Sequence, residues 1–295
     1  MTNVRGIRLA DLEPATVYDG CRELLSRYEE AIQAAERVVV LPDARYPHHP
    51  STGMVTDPDV VGAVLRALEA VDGDRPTTVA IAAADGIDDT QVGRYLGYDD
   101  VAANAGARLS SLSDEPSVDR TVTAGARTVD VSIPRLLDEA LVLNVPTLRL
   151  ARRTAIAGAM VNLARTTTYA DVSAGLGIAA GTSALSPAVT VLDGTYAFAG
   201  DPYELRVLLA SGDPVAIDHA IVSMFGLDLA DESYLRVAGN GTSPEVAGVS
   251  IADLATELPE GTMPDRGDAH PLLRVGYRAY ARISGDAVPP QLMED

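Results

Sequence analysis

The chain has 295 residues, 47% of them apolar, which is enough for one large core, yet it holds two Phe and no Trp, so Val, Ala, Leu and Ile must fill the interior. Its net charge is −19, and all 23 basic residues are Arg. This balance excludes nucleic acid as a main partner, because phosphate recognition needs a basic patch and these Arg residues are scattered.

The acidic excess without any Lys points to a halophilic protein, whose self-repelling surface is screened by salt; a GC-rich genome that favours Arg codons accounts for the missing Lys but not for the acidic excess. A single cysteine, Cys21, excludes an internal disulfide, an iron–sulfur cluster and a Cys-rich zinc site, and points to a reducing compartment. No stretch approaches the roughly 20 apolar residues of a membrane span, and Met1–Glu13 has no apolar run of signal-peptide length. The expected location is the cytoplasm, with no membrane partner.

Helical spacing of Leu24, Leu25, Tyr28 and Ile32 predicts a first amphipathic helix over Tyr18–Glu36. Val38–Leu41 reads as a buried strand, followed by a loop rich in Pro and His. A helix then opens at Asp57-Pro58, with Asp as N-cap and Pro in the first turn. Thr77–Ala84 is a second strand, Thr90–Leu96 and Val101–Ala105 are short helices, and Ala107–Ser111 is a further strand after Gly106.

Val118–Thr123 and Thr128–Ile133 alternate apolar and polar residues around Ala124-Gly125-Ala126, as a hairpin does. The α/β pattern resumes with a strand at Ala140–Val145, a helix at Thr154–Arg165 and a strand at Val189–Leu192. Arg206–Ala210 then leads through Asp213-Pro214 into a helix, Val215–Phe225. A last helix is expected at Leu272–Ile283. Continuous apolar strands separated by helices predict an α/β fold: an open, mostly parallel, doubly wound sheet with an inserted β-hairpin and a C-terminal helical arm. The expected division is an N-terminal helical segment (1–37), an α/β domain (38–248) and an arm (249–295) packed on it.

Several blocks in this order carry a family likeness: Asn144-Val145-Pro146, Gly158-Ala159 with Asn162, Leu192-Asp193-Gly194, and Leu209-Ala210-Ser211-Gly212-Asp213-Pro214-Val215-Ala216-Ile217-Asp218. The chain resembles the family catalogued as domain of unknown function 362, from about Val38 to Gly248. Members of that family have as a rule no assigned reaction, and many carry a ferredoxin-like segment for which this chain lacks the cysteines. The family's middle motif usually reads Asn-Val-Pro-Lys-Leu-Lys-Thr-His, followed by Thr-Gly-Ala-Leu-Lys-Asn. Here Ala151 stands at the His and Val161 at the last Lys, while Arg149 retains a cation.

Three acids are expected at the carboxyl edge of the sheet, where ligands of open α/β sheets bind: Asp43, Asp85 and Asp193. They are candidate ligands of a divalent metal, although an Asp in a turn also caps its own backbone. Asp218 falls on an apolar helix face, where a carboxylate must be paired, hydrogen-bonded or protonated; it serves either a site or a tie to a neighbouring loop. Arg149, Arg152 and Arg153 precede a helix N-terminus and could receive a carboxylate or phosphate, although surface Arg residues are more often solvated or paired with acids, which is the reading for Arg152 and Arg153. His48 and His49 are adjacent in a loop and need not converge on one ion.

Two functions follow. One is a metal-assisted enzyme acting on a small carboxylate- or phosphate-bearing metabolite, with Asp193 and Asp218 catalytic and Asn144, Arg149 and Asn162 orienting the substrate. The other is a non-catalytic descendant that binds a metabolite or a protein.

Overall fold

Apolar runs without intervening charge cannot be solvated on either side, and here they lie side by side in one sheet. The computed structural model describes residues 3–71, 75–84, 87–228, 233–239 and 244–261. In chain order they form β1 (Asn3–Arg8), α1 (Pro14–Leu25), α2 (Glu29–Ala34), β2 (Val38–Pro42), α3 (Pro58–Val71), β3 (Thr77–Ile81), α4 (Asp89–Tyr95), α5 (Tyr98–Asn104) and β4 (Arg108–Ser111). Next come β5 (Ser117–Ala124), β6 (Arg127–Pro134), α6 (Arg135–Asp138), β7 (Leu141–Val145), β8 (Thr147–Ala151), β9 (Ala155–Ile156) and α7 (Ala159–Ala164). The remainder is β10 (Thr168–Tyr169), α8 (Ala174–Leu185), β11 (Val189–Phe198), β12 (Pro202–Ser211), α9 (Pro214–Met224), α10 (Ser233–Ala238), β13 (Glu245–Ala247) and α11 (Ile251–Glu257).

The main sheet has the order β13-β1-β12-β11-β7-β2-β3-β4, with β8 and β9 branching from β11. Strands β11, β7, β2, β3 and β4 are parallel, and β12 runs against both of its neighbours, β11 and β1. Alternation along each strand divides the core in two. Val39, Leu41 and Leu192 face α7, α8 and α9 on one side. Val38, Val40 and Val191 face α1 and α3 on the other. The fold is therefore an α/β, mostly parallel sheet covered on both faces.

Several local expectations are corrected. The expected hairpin is present as β5–β6 and extends further, joining β10 in a separate three-stranded antiparallel sheet packed against α8. The strand expected at Val189–Leu192 continues to Phe198, so Asp193 lies within it, where the pairing with β8 and β12 shifts register. The helix expected at Thr154–Arg165 is confined to Ala159–Ala164. After Pro146, whose carbonyl accepts the Asp193 amide at 2.8 Å, the chain stays extended along β11 as β8 and turns back as β9.

The first helix begins at Pro14 and is split by a 3-10 turn at Ser26–Tyr28. The second strand stops at Ile81. The sequence reading also lacked β1 and α8; the latter, Ala-Gly-Leu-Gly-Ile-Ala-Ala-Gly, is buried nearly all round and so shows no polar face. The helix expected at Leu272–Ile283 lies outside the described residues.

Candidate functional site: an arginine cluster at the sheet edge

Strand β2 ends against Asp43, whose backbone amide donates to the Val145 carbonyl at 3.2 Å and to Thr56 Oγ1 at 2.8 Å. This pins the residue beyond the carboxyl ends of β2 and β7 and buries its side chain to 1% exposure. Arg149 on β8 donates to Asp43 Oδ2 through Nε at 3.3 Å and Nη2 at 3.1 Å, and the Thr147 hydroxyl reaches the same oxygen at 3.3 Å. Arg165 Nη1 donates to Oδ1 at 3.2 Å. Burial pushes the Asp43 carboxyl up, but the charges of Arg149, Arg165 and Arg45 outweigh it and hold the pKa below the usual carboxylate value.

The same loop adds Arg45, Tyr46 and His48. The Arg45 guanidinium lies 5.5 Å from the centre of the Tyr46 ring, and its Nε is buried without a hydrogen-bond partner. Tyr46 and His48 meet edge to face with centroids 6.0 Å apart. His48 is 4% exposed, and its Nε2 is likewise buried and unpartnered. Burial and the Arg149 charge bring the His48 imidazole down to about 4, Asp43 opposing, so it is neutral at neutral pH. Burial, then the Arg149 and Arg45 charges, bring Arg165 down to about 10, with Asp43 opposing.

Arg165 is delivered by α7, and buried polar groups fix that helix at both ends. The Asp218 carboxylate, from α9, accepts the N-terminal amides of Ala159 at 2.5 Å and Met160 at 3.1 Å. Two otherwise orphaned donors of a helix start are thereby satisfied. Gly158 allows this approach, since a Cβ there would overlap the Asp218 oxygen. One turn before Arg165, Asn162 Nδ2 donates to the Leu41 carbonyl at 3.2 Å and to Asn144 Oδ1 at 2.8 Å, and Asn144 Nδ2 returns to the Ala159 carbonyl at 3.1 Å.

A second pair of acids lies alongside. Asp193 Oδ2 accepts the Asp57 amide at 2.7 Å, and its Oδ1 accepts the Thr195 amide at 2.9 Å and hydroxyl at 2.6 Å. Asp57 caps α3 through the Asp59 amide at 2.8 Å. Burial first, and then the Asp57 charge, push the Asp193 carboxyl up to about 7. Burial raises Asp57 as well.

The structure thus brings Asn144, Arg149, Asn162 and Asp218 into one connected network beneath Asp43. Asp193 stands on the neighbouring strand, linked through the Pro146 carbonyl. Asp85 lies outside the described residues. A cation needs oxygens turned toward it, whereas both Asp43 oxygens face guanidinium donors and the Asp193 oxygens face N–H and O–H donors, so this pair does not fit a divalent metal. Among the described residues no group of three or more His, Cys, Asp or Glu gathers as a metal site. Sequence reasoning missed Arg45, Arg165 and Asp57 as site residues. The available signals were Arg45 two residues beyond a strand-end acid and Arg165 three beyond Asn162.

Fold and site together define a parallel-sheet α/β protein with a buried ionic cluster at its carboxyl edge. The family described as Domain of unknown function (DUF362) matches residues 38–223, more than half of the chain, and the chain belongs to that family. No curated protein matches the chain. Among solved structures it is similar to the lactate racemase apoprotein from Thermoanaerobacterium thermosaccharolyticum, with 9% identity, 72% of this chain and 55% of that chain covered, and a TM-score of 0.47. The chain thus spans little more than half the length of that protein. No helix among the described residues is long and apolar enough to cross a membrane.

Proposed function

We propose that this chain binds a small carboxylate- or phosphate-bearing metabolite at the loop between β2 and α3, with Arg149, Arg165 and Arg45 as its receptor. The observation that supports this reading is an imbalance: three guanidiniums bear on one carboxylate, Asp43, in a chain whose net charge is −19. An acidic protein that needed only a structural ion pair there would need one arginine. Guanidinium donors are suited to planar and tetrahedral oxyanions, and the outer edge of a parallel sheet is where such ligands bind. In this reading Asn144, Asn162 and Asp218 are positioning residues, which hold α7 so that Arg165 meets Asp43.

A catalytic part belongs, if anywhere, to Asp193. Its raised pKa beside Asp57 suits a group that exchanges a proton near neutrality. The test is thermal unfolding of the protein at fixed ionic strength against a panel of small carboxylates and phosphates, repeated with Arg165→Gln. The expected result is saturable stabilisation by at least one compound, lost in the variant. No stabilisation by any anion at millimolar concentration overturns the reading.

A further inference from the structure

Resting on that reading, we infer that the ligand of this site is a tetrahedral dianion of the phosphate-monoester class rather than a monocarboxylate. Charge is the first ground. Among the described residues Asp43 is the only carboxylate whose charge bears on Arg165, while Arg149 and Arg45 both act on it with the same sign. His48 adds no charge at neutral pH. Among the described residues, three guanidiniums against this one carboxylate leave two positive charges without a counter-charge, with the Arg149 side chain 7% and the Arg165 side chain 19% exposed. A monocarboxylate cancels one of them. A phosphate monoester, with a second pKa of about 6, cancels both near neutral pH.

The donors supply the second ground. Asp43 takes only Nε and Nη2 of Arg149 and Nη1 of Arg165. Arg45 Nε stays buried and unpartnered, as does His48 Nε2. Buried polar groups are nearly always satisfied, so Arg45 Nε–H needs an acceptor that the described residues do not supply, and His48 Nε2 in the tautomer that carries its proton there needs one too. Both orphaned atoms belong to the loop after β2; the guanidinium donors of Arg149 and Arg165 that are not spent on Asp43 add strand β8 and the C-terminal end of α7. One planar carboxylate meets a single guanidinium edge to edge in a plane. Guanidiniums from three elements, one of which also brings the His48 imidazole, suit oxygens that point to the corners of a tetrahedron.

The test uses the full chain with inorganic phosphate, sulfate, malonate and acetate, each titrated at constant ionic strength by calorimetry and by thermal shift. Arg45→Gln is the key variant: it removes one of the surplus charges and no side-chain hydrogen bond of the described structure, so the unliganded protein should melt no lower than the parent. Phosphate and sulfate should bind at least tenfold more tightly than acetate and malonate, and Arg45→Gln should weaken phosphate at least tenfold. Acetate binding as tightly as phosphate would overturn the dianion inference and leave the anion site standing. Malonate equal to phosphate would retain the charge but overturn the tetrahedral class. Phosphate binding unchanged by Arg45→Gln would overturn the assignment of the ligand to this cluster. Binding of none of the four would overturn both this inference and the reading beneath it.

Discussion

Arg149 meets Asp43 through one oxygen only. Both of its donors, Nε at 3.3 Å and Nη2 at 3.1 Å, converge on Oδ2, and Oδ1 is left to Arg165 at 3.2 Å. The carboxylate is therefore shared between β8 and the end of α7, and it couples two elements that have no other ionic tie in the described structure.

Removing Arg149 takes from Asp43 Oδ2 both of its guanidinium hydrogen bonds, while Arg165 and Arg45 still offset the charge. Breaking a buried pair in this way costs about 3–5 kcal/mol. We expect Arg149→Ala to lose somewhat less, since Arg165 remains, and to lower the melting temperature by on the order of 5–10 °C at about 2–4 °C per kcal/mol. Replacing Arg152, which is not bonded to Asp43, should shift it far less, and differential scanning calorimetry on the two variants makes the comparison.

Asp218→Asn should act on stability before it acts on binding. The amide side chain can offer one carbonyl oxygen to Ala159 or Met160, but its NH2 then confronts the other backbone N–H. A loss of about 1–3 kcal/mol follows from one buried donor left unsatisfied. Gly158→Ala should be at least as damaging, because the added methyl overlaps the same carboxylate. Chemical denaturation midpoints check both. If Asp218→Asn abolished ligand binding with its midpoint unchanged, Asp218 would belong to the binding surface and not to the support of α7.

Stability should respond to pH through two opposed groups. The Asp193 pKa, raised to about 7 from 3.8, favours the protonated acid in the fold, so its contribution is full below 3.8 and is lost as pH rises through about 7. The His48 pKa, lowered to about 4 from 6.5, acts the other way: its contribution is present above 6.5 and is lost as pH falls toward 4. The parent profile is thus flattened between about 4 and 6.5. Asp193→Asn should gain stability relative to the parent as pH rises from 4 to 7, with a plateau above. Melting curves of both proteins across pH 4–8 test this, and a difference that does not change with pH would contradict the assigned direction.

Raising KCl from 0.1 M to 1 M should raise the melting temperature, because the screening length falls from about 10 Å to about 3 Å and the repulsion within a surface of net charge −19 falls with it. A melting temperature that is constant or falls would argue that the acidic surface does not limit stability.

The sheet was legible because the segments expected as strands, Val38–Leu41, Thr77–Ala84 and Ala140–Val145, carry apolar runs at Val38–Leu41, Val79–Ala84 and Ala140–Leu143, and burial on both faces leaves that trace in a sequence. The caps at Asp57 and Asp213 were legible too, since an Asp-Pro step at a helix start is a local signal; Asp59 and Val215 donate to them at 2.8 and 2.9 Å. The strand–turn–strand at Thr147–Ile156 was not legible, because a short strand added to β11 depends on distant partners, Thr147 opposite Asp193 and Leu148 opposite Ala197, and not on its own pattern. The site was half visible for the same reason. Asp43 and Arg149 stand out as charged groups beside apolar strands, whereas Arg165 gains its meaning only from where Asp218 and Asn162 hold its helix.

Strand β1 pairs with β12, Arg5 opposite Ala210, across nearly the whole described chain. At a synthesis rate of about 5–20 residues per second, β1 leaves the ribosome about 10–40 s before its partner exists. The edge of β12 is therefore never made before its cover: the segment that seals it is already tethered nearby when it emerges. Had the covering strand been encoded after β12, each nascent chain would have passed through an interval with a long, apolar and unpaired edge open to its neighbours on the same message. With β1 encoded ahead of β12, that interval is expected to be absent, through the order of synthesis and without any added contact.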